Sequence, residues 1–326
     1  MEKRLIGTVV LCACLLLAAC GRLTQNKIRI AYGNWAEGIA ITHLTKEILT
    51  EQGFQVEILN ADIAPVFTAL ARGKADVFMD SWLPVTHADY FEKYGDRLEM
   101  LGQVYDSARI GLVVPTYVTI NSLEELNAHK ERFGGEIVGI DAGTGLMRCS
   151  ETALTDYGLD YKLLYSSGPA MTALLKKAID QRKWIVVTGW TPHWKFDRFD
   201  LKFLKDPKNV YGEAEQIHSI ARRGFSHDHP YAAAIIRNIH LEDKDISSLM
   251  RAINDTKRTE KDAVREWMKT HRELVDSWIP RTEGARGTDY SAASSSIFRR
   301  MNSFFRLASF CSFRISSMAE STCASR

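Results

Sequence analysis

Apolar positions recur along the chain in two patterns, one typical of strands and one typical of helices. Residues 27–32 alternate apolar and polar side chains and predict a strand. Residues 37–52 repeat apolar positions at helical spacing until Gly53 and predict a helix. The same alternation of strand and helix patterns continues at 54–59, 65–72 and 75–79. This order predicts a parallel, doubly wound sheet, because each parallel pair needs a helical crossover.

A second unit with the same order follows. The strand patterns of this unit lie at 136–140, 161–165 and 185–188. Between them, one helix opens near Leu146 and another covers 167–181. Two such units, joined by extended crossings, predict a two-lobed α/β fold of the periplasmic-binding-protein type. Each lobe has a mainly parallel, doubly wound sheet, and the ligand lies between the lobes.

The extended segments that cross from one unit to the other set the expected lobe boundaries. Lobe 1 is expected at 27–110 and 212–280, and lobe 2 at 111–211. The return segment has three amphipathic helix patterns, at 230–239, 242–254 and 260–271. These helices are expected to pack on the first lobe.

Three of the predicted strands end close to a tryptophan. Trp35 follows the first strand, Trp82 the third, and Trp190 the last strand of the second unit. Open α/β sheets bind ligands beyond the carboxyl ends of their strands. A single tryptophan is more often a core residue. Three at strand ends instead indicate a box of aromatic faces, a site that binds quaternary ammonium groups through cation–π attraction.

Two further features could complete a site beside this box. His87 lies five residues after Trp82, so a loop could bring both to one pocket. The turn 141–147 places glycines between a strand and a helix, where backbone N–H groups can approach an anion. It lacks the third glycine of a dinucleotide-binding fingerprint. A structural histidine and a plain tight turn remain the alternatives.

The amino terminus has the organisation of a secretory signal. Lys3 and Arg4 precede an apolar run at 5–19, and small residues lead directly to Cys20. We therefore expect a signal peptide at 1–19, lipidation of Cys20 and a linker at 20–26. An ordinary signal peptide with an incidental cysteine is the alternative.

Composition narrows the possible classes of function. The chain has 326 residues and a net charge of +2. The segment 281–326 is rich in Arg, Ser and Phe and is expected to be a disordered or accessory tail. The remaining body is mildly acidic, which argues against nucleic acid as a partner. Cys149 is the only cysteine between 21 and 280, so neither a disulfide framework nor a zinc site is expected.

Several long stretches together resemble one known family. They lie at 81–87, 139–147, 187–194 and 212–218. Over about residues 27–280 the chain resembles the glycine-betaine-type substrate-binding proteins of osmoprotectant ABC importers. The resemblance implies no catalysis, no cofactor and no metal. It also implies a protein that delivers a compatible solute to an importer permease. Together with the amino-terminal signal, we expect an extracytoplasmic protein anchored to a membrane through a lipid on Cys20.

The resemblance also implies which residues bind the ligand. Trp35, Trp82 and Trp190 would form an aromatic prism around a trimethylammonium group. The carboxylate would be held by the side chain of His87 and by the backbone N–H groups of Gly145 and Leu146.

Other functions remain open at this stage. Within the same fold the ligand could be choline, carnitine, proline betaine or a sulfonium analogue, although a carboxylate clamp disfavours choline. An extracytoplasmic hydrolase could use His87 or His193 with Asp80 or Asp141. Against it, no serine of the chain lies in a nucleophile elbow. A structural lipoprotein that binds no ligand is the third possibility.

Overall fold

The computed structural model describes residues 26–255 and 258–281. These residues form one mixed sheet with helices on its faces. The strands are β1 (Lys27–Tyr32), β2 (Gln55–Asn60), β3 (Val77–Leu83), β4 (Leu98–Pro115), β5 (Glu136–Val138), β6 (Lys162–Leu164), β7 (Val187–Thr191), β8 (Leu201–Phe203) and β9 (Glu215–Arg222). The predicted signal peptide 1–19, Cys20 and the tail beyond Arg281 lie outside the described residues.

The α-helices connect the strands and then form a carboxyl-terminal layer. They are α1 (Ala36–Glu51), α2 (Ile63–Ala71), α3 (Ala88–Tyr94), α4 (Lys130–Phe133), α5 (Gly145–Asp156), α6 (Gly168–Asp180), α7 (Lys195–Arg198), α8 (Phe225–Asp228), α9 (Pro230–Asn238), α10 (Asp243–Asn254), α11 (Glu260–Thr270) and α12 (Arg272–Trp278). Short 3₁₀ helices lie at Gly95–Arg97, Leu123–Glu125 and Asn127–His129.

The first lobe has the order β2-β1-β3-β9, with the first part of β4 beside β9. β1 pairs in parallel with β2 and with β3, and the helices α1 and α2 supply the crossovers. Every residue of β3 is buried, as expected for a strand covered on both faces. β9 returns late in the chain and is antiparallel to β3, which makes the sheet mixed.

The second lobe repeats the plan with β6-β5-β7 in parallel and the helices α5 and α6 as crossovers. β4 is shared between the lobes: Leu98–Ala108 pairs with β9, and Arg109–Val113 pairs with β7. The two-lobed α/β fold predicted from the sequence is therefore confirmed. The sheet is mixed and not mainly parallel as predicted, because β4 and β9 pair with their neighbours in antiparallel orientation.

The carboxyl-terminal helices pack against the first lobe, as predicted. Nε of Arg265 in α11 lies 2.6 Å from a carboxylate oxygen of the buried Glu47 in α1. The Arg272 guanidinium of α12 lies 2.8 Å from the carboxylate of Glu51, the last residue of α1. The helix α12 was not predicted. Within residues 26–255 and 258–281, no helix combines the length and apolarity that a membrane crossing requires.

Two strands extend further than predicted. β3 continues beyond Met79 to Leu83, and Trp82 therefore lies inside the strand. β7 likewise includes Trp190. In β3 the extension comes from pairing with β9, in which Trp82 faces Ile217. This partner is more than a hundred residues away in sequence, so local periodicity does not reveal where the strand ends.

Candidate functional site

The three strand-end tryptophans converge on one cavity between the lobes. Trp35 caps the start of α1, whereas Trp82 and Trp190 lie near the ends of β3 and β7. All three are buried. The cavity is small, and its lining is mainly apolar. Its lining residues are Trp35, Glu37, Trp82, Thr86, His87, Ile110, Ile140, Thr144, Leu146 and Trp190.

Each of these indole N–H groups donates a hydrogen bond to an acidic side chain. The distances from Nε1 to the carboxyl oxygen are 2.8 Å for Trp82 to Asp80, 2.7 Å for Trp190 to Glu37, and 3.4 Å for Trp35 to Asp141. These bonds satisfy the one polar atom of each ring and restrain its orientation. Two of the three bonds join one lobe to the other.

The amino terminus of α5 reaches the cavity through a glycine-rich turn. Gly143 has φ +81°, a conformation that side chains rarely adopt. Thr144 then caps the helix by accepting a hydrogen bond from the Met147 N–H. Gly145 is the first helical residue, and a Cβ atom there would collide with the carbonyl oxygen of Thr86 in the other lobe. The first turn of a helix offers unpaired N–H groups and a positive dipole end to an anion.

His87 lines the cavity beside this helix terminus. Its Nδ1 accepts a hydrogen bond from the backbone N–H of Trp82 at 2.9 Å. Burial, with a smaller contribution from the Arg148 charge, lowers the pKa of His87 to about 3. The ring is therefore neutral at physiological pH. With Nδ1 acting as acceptor, the proton lies on Nε2, which is available as a donor.

The turn that carries His87 is bound from both lobes. On the first-lobe side, a carboxylate oxygen of Glu215 accepts hydrogen bonds from the N–H groups of Val85 and Thr86, both at 2.8 Å. On the second-lobe side, the Arg148 guanidinium lies 3.0 Å from the Asp89 carboxylate and 3.3 Å from the Val85 carbonyl oxygen. These contacts hold the turn against α5.

The structure thus places Trp35, Trp82, Trp190, His87 and Leu146 at one cavity, with Gly145 adjoining it. Sequence reasoning missed Glu37, Thr86, Ile110, Ile140 and Thr144, which also line it. Glu37 lies two residues after Trp35 in the sequence, and this proximity could have identified it as a candidate site residue. No such sequence signal marks Ile110 and Ile140, since an apolar residue in a strand pattern is normally part of the core.

The arrangement gives no support to hydrolysis. Nδ1 of each candidate histidine is occupied by a backbone N–H, from Trp82 for His87 and from Lys195 for His193. Asp80 and Asp141 accept indole hydrogen bonds instead of orienting a histidine. Among the described residues, no group of three or more His, Cys, Asp or Glu side chains is arranged to hold a metal ion.

Comparison with known proteins identifies the same kind of protein. The family model for the substrate-binding domain of ABC-type glycine betaine transport systems matches residues 26–270. A glycine betaine/carnitine transport binding protein, GbuC of Listeria monocytogenes, is 40% identical over 197 residues. That match covers 58% of this chain and 65% of the relative, so the chain spans somewhat less than two thirds of the relative's length.

Solved structures give the same result for the fold. ProX of Borrelia burgdorferi, a glycine betaine/L-proline-binding protein, is 34% identical with a TM-score of 0.75, covering 78% of this chain and 97% of that protein. Lactococcal OpuAC, solved in a closed conformation with glycine betaine, is 36% identical with a TM-score of 0.74. The match covers 78% of this chain and 100% of that protein. A choline-binding protein at 21% identity and a TM-score of 0.73 shares the fold, covering 84% and 99%.

The family match covers most of the chain, and the site contains binding groups without a reactive constellation. The expectation that the protein is not an enzyme agrees with these relatives, which are binding proteins. The chain belongs to the family of substrate-binding domains of ABC-type glycine betaine transport systems.

Proposed function

We propose that this protein captures glycine betaine outside the cytoplasm and delivers it to the permease of an ABC importer for osmoprotection. One observation carries the proposal. Three buried tryptophans line the same small cavity as a neutral histidine and the start of α5. That combination suits a ligand with a methylated cation at one end and a carboxylate at the other.

The cation end is proposed to lie among Trp35, Trp82 and Trp190. A quaternary ammonium group has no hydrogen to donate, so aromatic faces are its natural partners. Each indole N–H is already bonded to an acid, which leaves the ring systems for the ligand. Each cation–π contact contributes about 0.5–2 kcal/mol.

The carboxylate end is proposed to bind Nε2–H of His87 and the backbone N–H groups of Gly145 and Leu146. The backbone N–H of Trp82 donates a hydrogen bond to Nδ1 of His87, which leaves the ring proton on Nε2. Gly145 and Leu146 open α5, where the helix dipole favours an anion. Hydrogen bonds to a charged acceptor are stronger than neutral ones.

The choice among ligands follows from these two ends. Choline lacks the carboxylate and would leave the helix terminus without a partner. Carnitine and proline betaine keep both ends but are bulkier, and the cavity is small. Glycine betaine is therefore the proposed ligand, and the lactococcal relative is known in complex with it.

Calorimetry on the purified protein with glycine betaine, carnitine, proline betaine and choline tests this choice. Glycine betaine should bind with a dissociation constant of about 1 μM, the equivalent of about −8 kcal/mol. Choline should bind at least about tenfold more weakly. Trp190→Ala should weaken both ligands by about tenfold. Absence of binding by every quaternary ammonium compound would refute the function.

Membrane anchoring is proposed through Cys20, after removal of the signal peptide 1–19. The support is the sequence alone, in which small residues lead directly to the cysteine. Cys20→Ser should move the protein from the membrane to the soluble extracytoplasmic fraction. A mutant that sediments with membranes as firmly as the parent would contradict the lipid anchor.

The proposed lobes, 27–110 with 212–280 and 111–211, are expected to close on the ligand. The division falls where β4 exchanges its partner, since Arg109 is the first residue paired with β7. Indole bonds from Trp35 and Trp190 to the opposite lobe would form only on closure. Glycine betaine should therefore reduce the radius of gyration in solution scattering.

A further inference from the structure

A buried lysine lies against one of the cavity tryptophans. Lys195 opens α7, five residues after Trp190, and its side chain is completely buried. Its Nζ lies 3.9 Å from the centroid of the Trp190 ring. Within the described part of the chain, Nζ has no hydrogen-bond partner. Burial of an amine without hydrogen bonds is costly, and an apolar side chain would avoid that cost.

The amine contacts the Trp190 ring from outside the cavity lining. Trp190 lines the cavity, whereas Lys195 does not. The turn that leads to Lys195 is fixed by His193, whose Nδ1 accepts the Lys195 backbone N–H at 3.0 Å. The His193 ring packs edge-on to Trp190 with centroids 4.8 Å apart. The amine and a ligand in the cavity would therefore contact the same indole.

An acid from the other lobe binds the edge of the same indole. Oε2 of Glu37 accepts the Trp190 Nε1–H at 2.7 Å, and Glu37 is itself buried. Burial raises the pKa of Glu37 to about 7, although the bond from Trp190 and the Lys195 charge oppose the shift. Burial lowers the pKa of Lys195 to about 7, against the attraction of Glu37. Both groups therefore change charge near neutral pH.

We propose that Lys195 and Glu37 set how strongly the Trp190 end of the cavity attracts a cation. Lys195 acts as a positioning residue through the ring, whereas Glu37 acts through the ring and also as part of the cavity lining. The Glu37 carboxylate orients the indole and adds negative potential at its edge. A protonated Lys195 draws on the same π system and repels a second cation near the ring. This inference deepens the proposed function and rests on it.

The direction of the pH effect follows from every titratable group that faces this pair. From β3, Asp80 has its pKa raised well above the ordinary value by burial and by Glu37. Burial lowers the pKa of His193 and of His87 far enough that both stay neutral near pH 7. Loss of a proton from Glu37, Asp80 or Lys195 makes the surroundings of Trp190 more negative. Affinity for a cation should therefore rise with pH.

The test compares two ligands of the same shape. Glycine betaine has a quaternary nitrogen, and 3,3-dimethylbutanoate has a carbon at that position. Calorimetry on the full chain at pH 6 and pH 8.5 should show glycine betaine binding about two- to tenfold more tightly at the higher pH. The analogue, whose tert-butyl end is uncharged, should show no such rise.

Three variants separate the roles of the pair. Lys195→Met keeps the length of the stem and should bind glycine betaine about two- to tenfold more tightly than the parent at pH 6. Lys195→Arg keeps the charge at both values of pH and should bind weakly at both. Glu37→Gln can still accept the indole N–H and should lose affinity chiefly at pH 8.5.

Parallel changes for the two ligands, or a Lys195→Met variant with the parent's pH profile, would overturn this inference alone. The wild-type comparison needs no substitution, so the test stands even where a variant fails to fold. A parent protein that binds no quaternary ammonium compound would instead refute the proposed function, and this inference with it.

Discussion

The turns after β3 and β7 share a plan. In each, a cavity tryptophan lies near the end of the strand, a proline stands two residues later, and a histidine follows. The histidine Nδ1 accepts a backbone N–H in both turns, from Trp82 for His87 and from Lys195 for His193. Burial lowers the pKa of both histidines.

The two turns differ in what the histidine faces. His87 lines the cavity, whereas His193 packs against the edge of Trp190 and does not. The indole N–H of Trp82 is bonded to Asp80 on its own strand, whereas that of Trp190 is bonded to Glu37 of the other lobe. The same local pattern therefore places a histidine at the cavity, where it is the proposed ligand donor, in one lobe and a packing group in the other. Tertiary partners decide which role each histidine takes.

The largest expected effect comes from the close contact between the turn after β3 and the start of α5. Gly145→Ala would place a Cβ against the Thr86 carbonyl oxygen, a backbone obstacle that cannot rotate away. Overpacking costs about 1–3 kcal/mol, and near the upper end of that range glycine betaine should bind about 100-fold more weakly.

Gly168→Ala is the matched control for Gly145→Ala in the same lobe. Gly168 is also the first residue of its helix, and the nearest atom to an added Cβ is a Trp190 ring carbon at 3.6 Å, an ordinary contact. Calorimetry should show its affinity within about twofold of the parent, since no clash arises. Equal losses for the two variants would show that the Thr86 contact has no special importance.

The next effect separates the two histidines directly. His87→Ala removes the proposed carboxylate donor and should weaken glycine betaine by about 1.5–3 kcal/mol, or tenfold to 100-fold. Choline has no carboxylate and should lose much less. His193→Ala should change the affinity for both ligands by the same factor, because His193 lies outside the cavity lining. Equal losses for both ligands with His87→Ala would remove His87 from the carboxylate site.

Much of this comparison could be predicted from the sequence. Strand and helix periodicity gave the order of elements in both lobes, and the strand-end pattern singled out Trp35, Trp82 and Trp190. These features depend on neighbours within a few residues, and such neighbours are visible in a single sequence.

What the sequence could not show depends on distant partners. Lys195 has the local sequence of a solvent-exposed turn residue, yet it is completely buried, with its Nζ 3.9 Å from the centroid of the Trp190 ring. Glu37 looked like an ordinary acid in the first turn of a helix, where the helix dipole favours one. Its bond to Trp190 spans 153 residues. No periodicity reports contacts of that separation.

The remaining expected effect concerns folding and not ligand binding, and it unites the two turns. The pKa of His87 falls from an ordinary value of 6.5 to about 3 in the folded protein, chiefly because the ring is buried. Between these values the unfolded chain binds a proton that the folded chain does not, so the free energy of unfolding falls as pH falls below 6.5. Each such histidine contributes a slope of about 1.4 kcal/mol per pH unit over this window. Burial also lowers the pKa of His193, so both turns should contribute.

His87→Gln and His193→Gln should therefore each flatten the acid side of the stability profile, measured by urea unfolding without ligand from pH 4.5 to pH 7.5. His227→Gln is the matched control, because its side chain is 93% exposed, and it should leave the slope unchanged. Each buried variant should differ from the parent by one proton taken up on unfolding. If only His87→Gln flattened the profile, the two histidines would differ in burial as well as in ligand contact. The shared plan of the two turns would then be limited to their sequence.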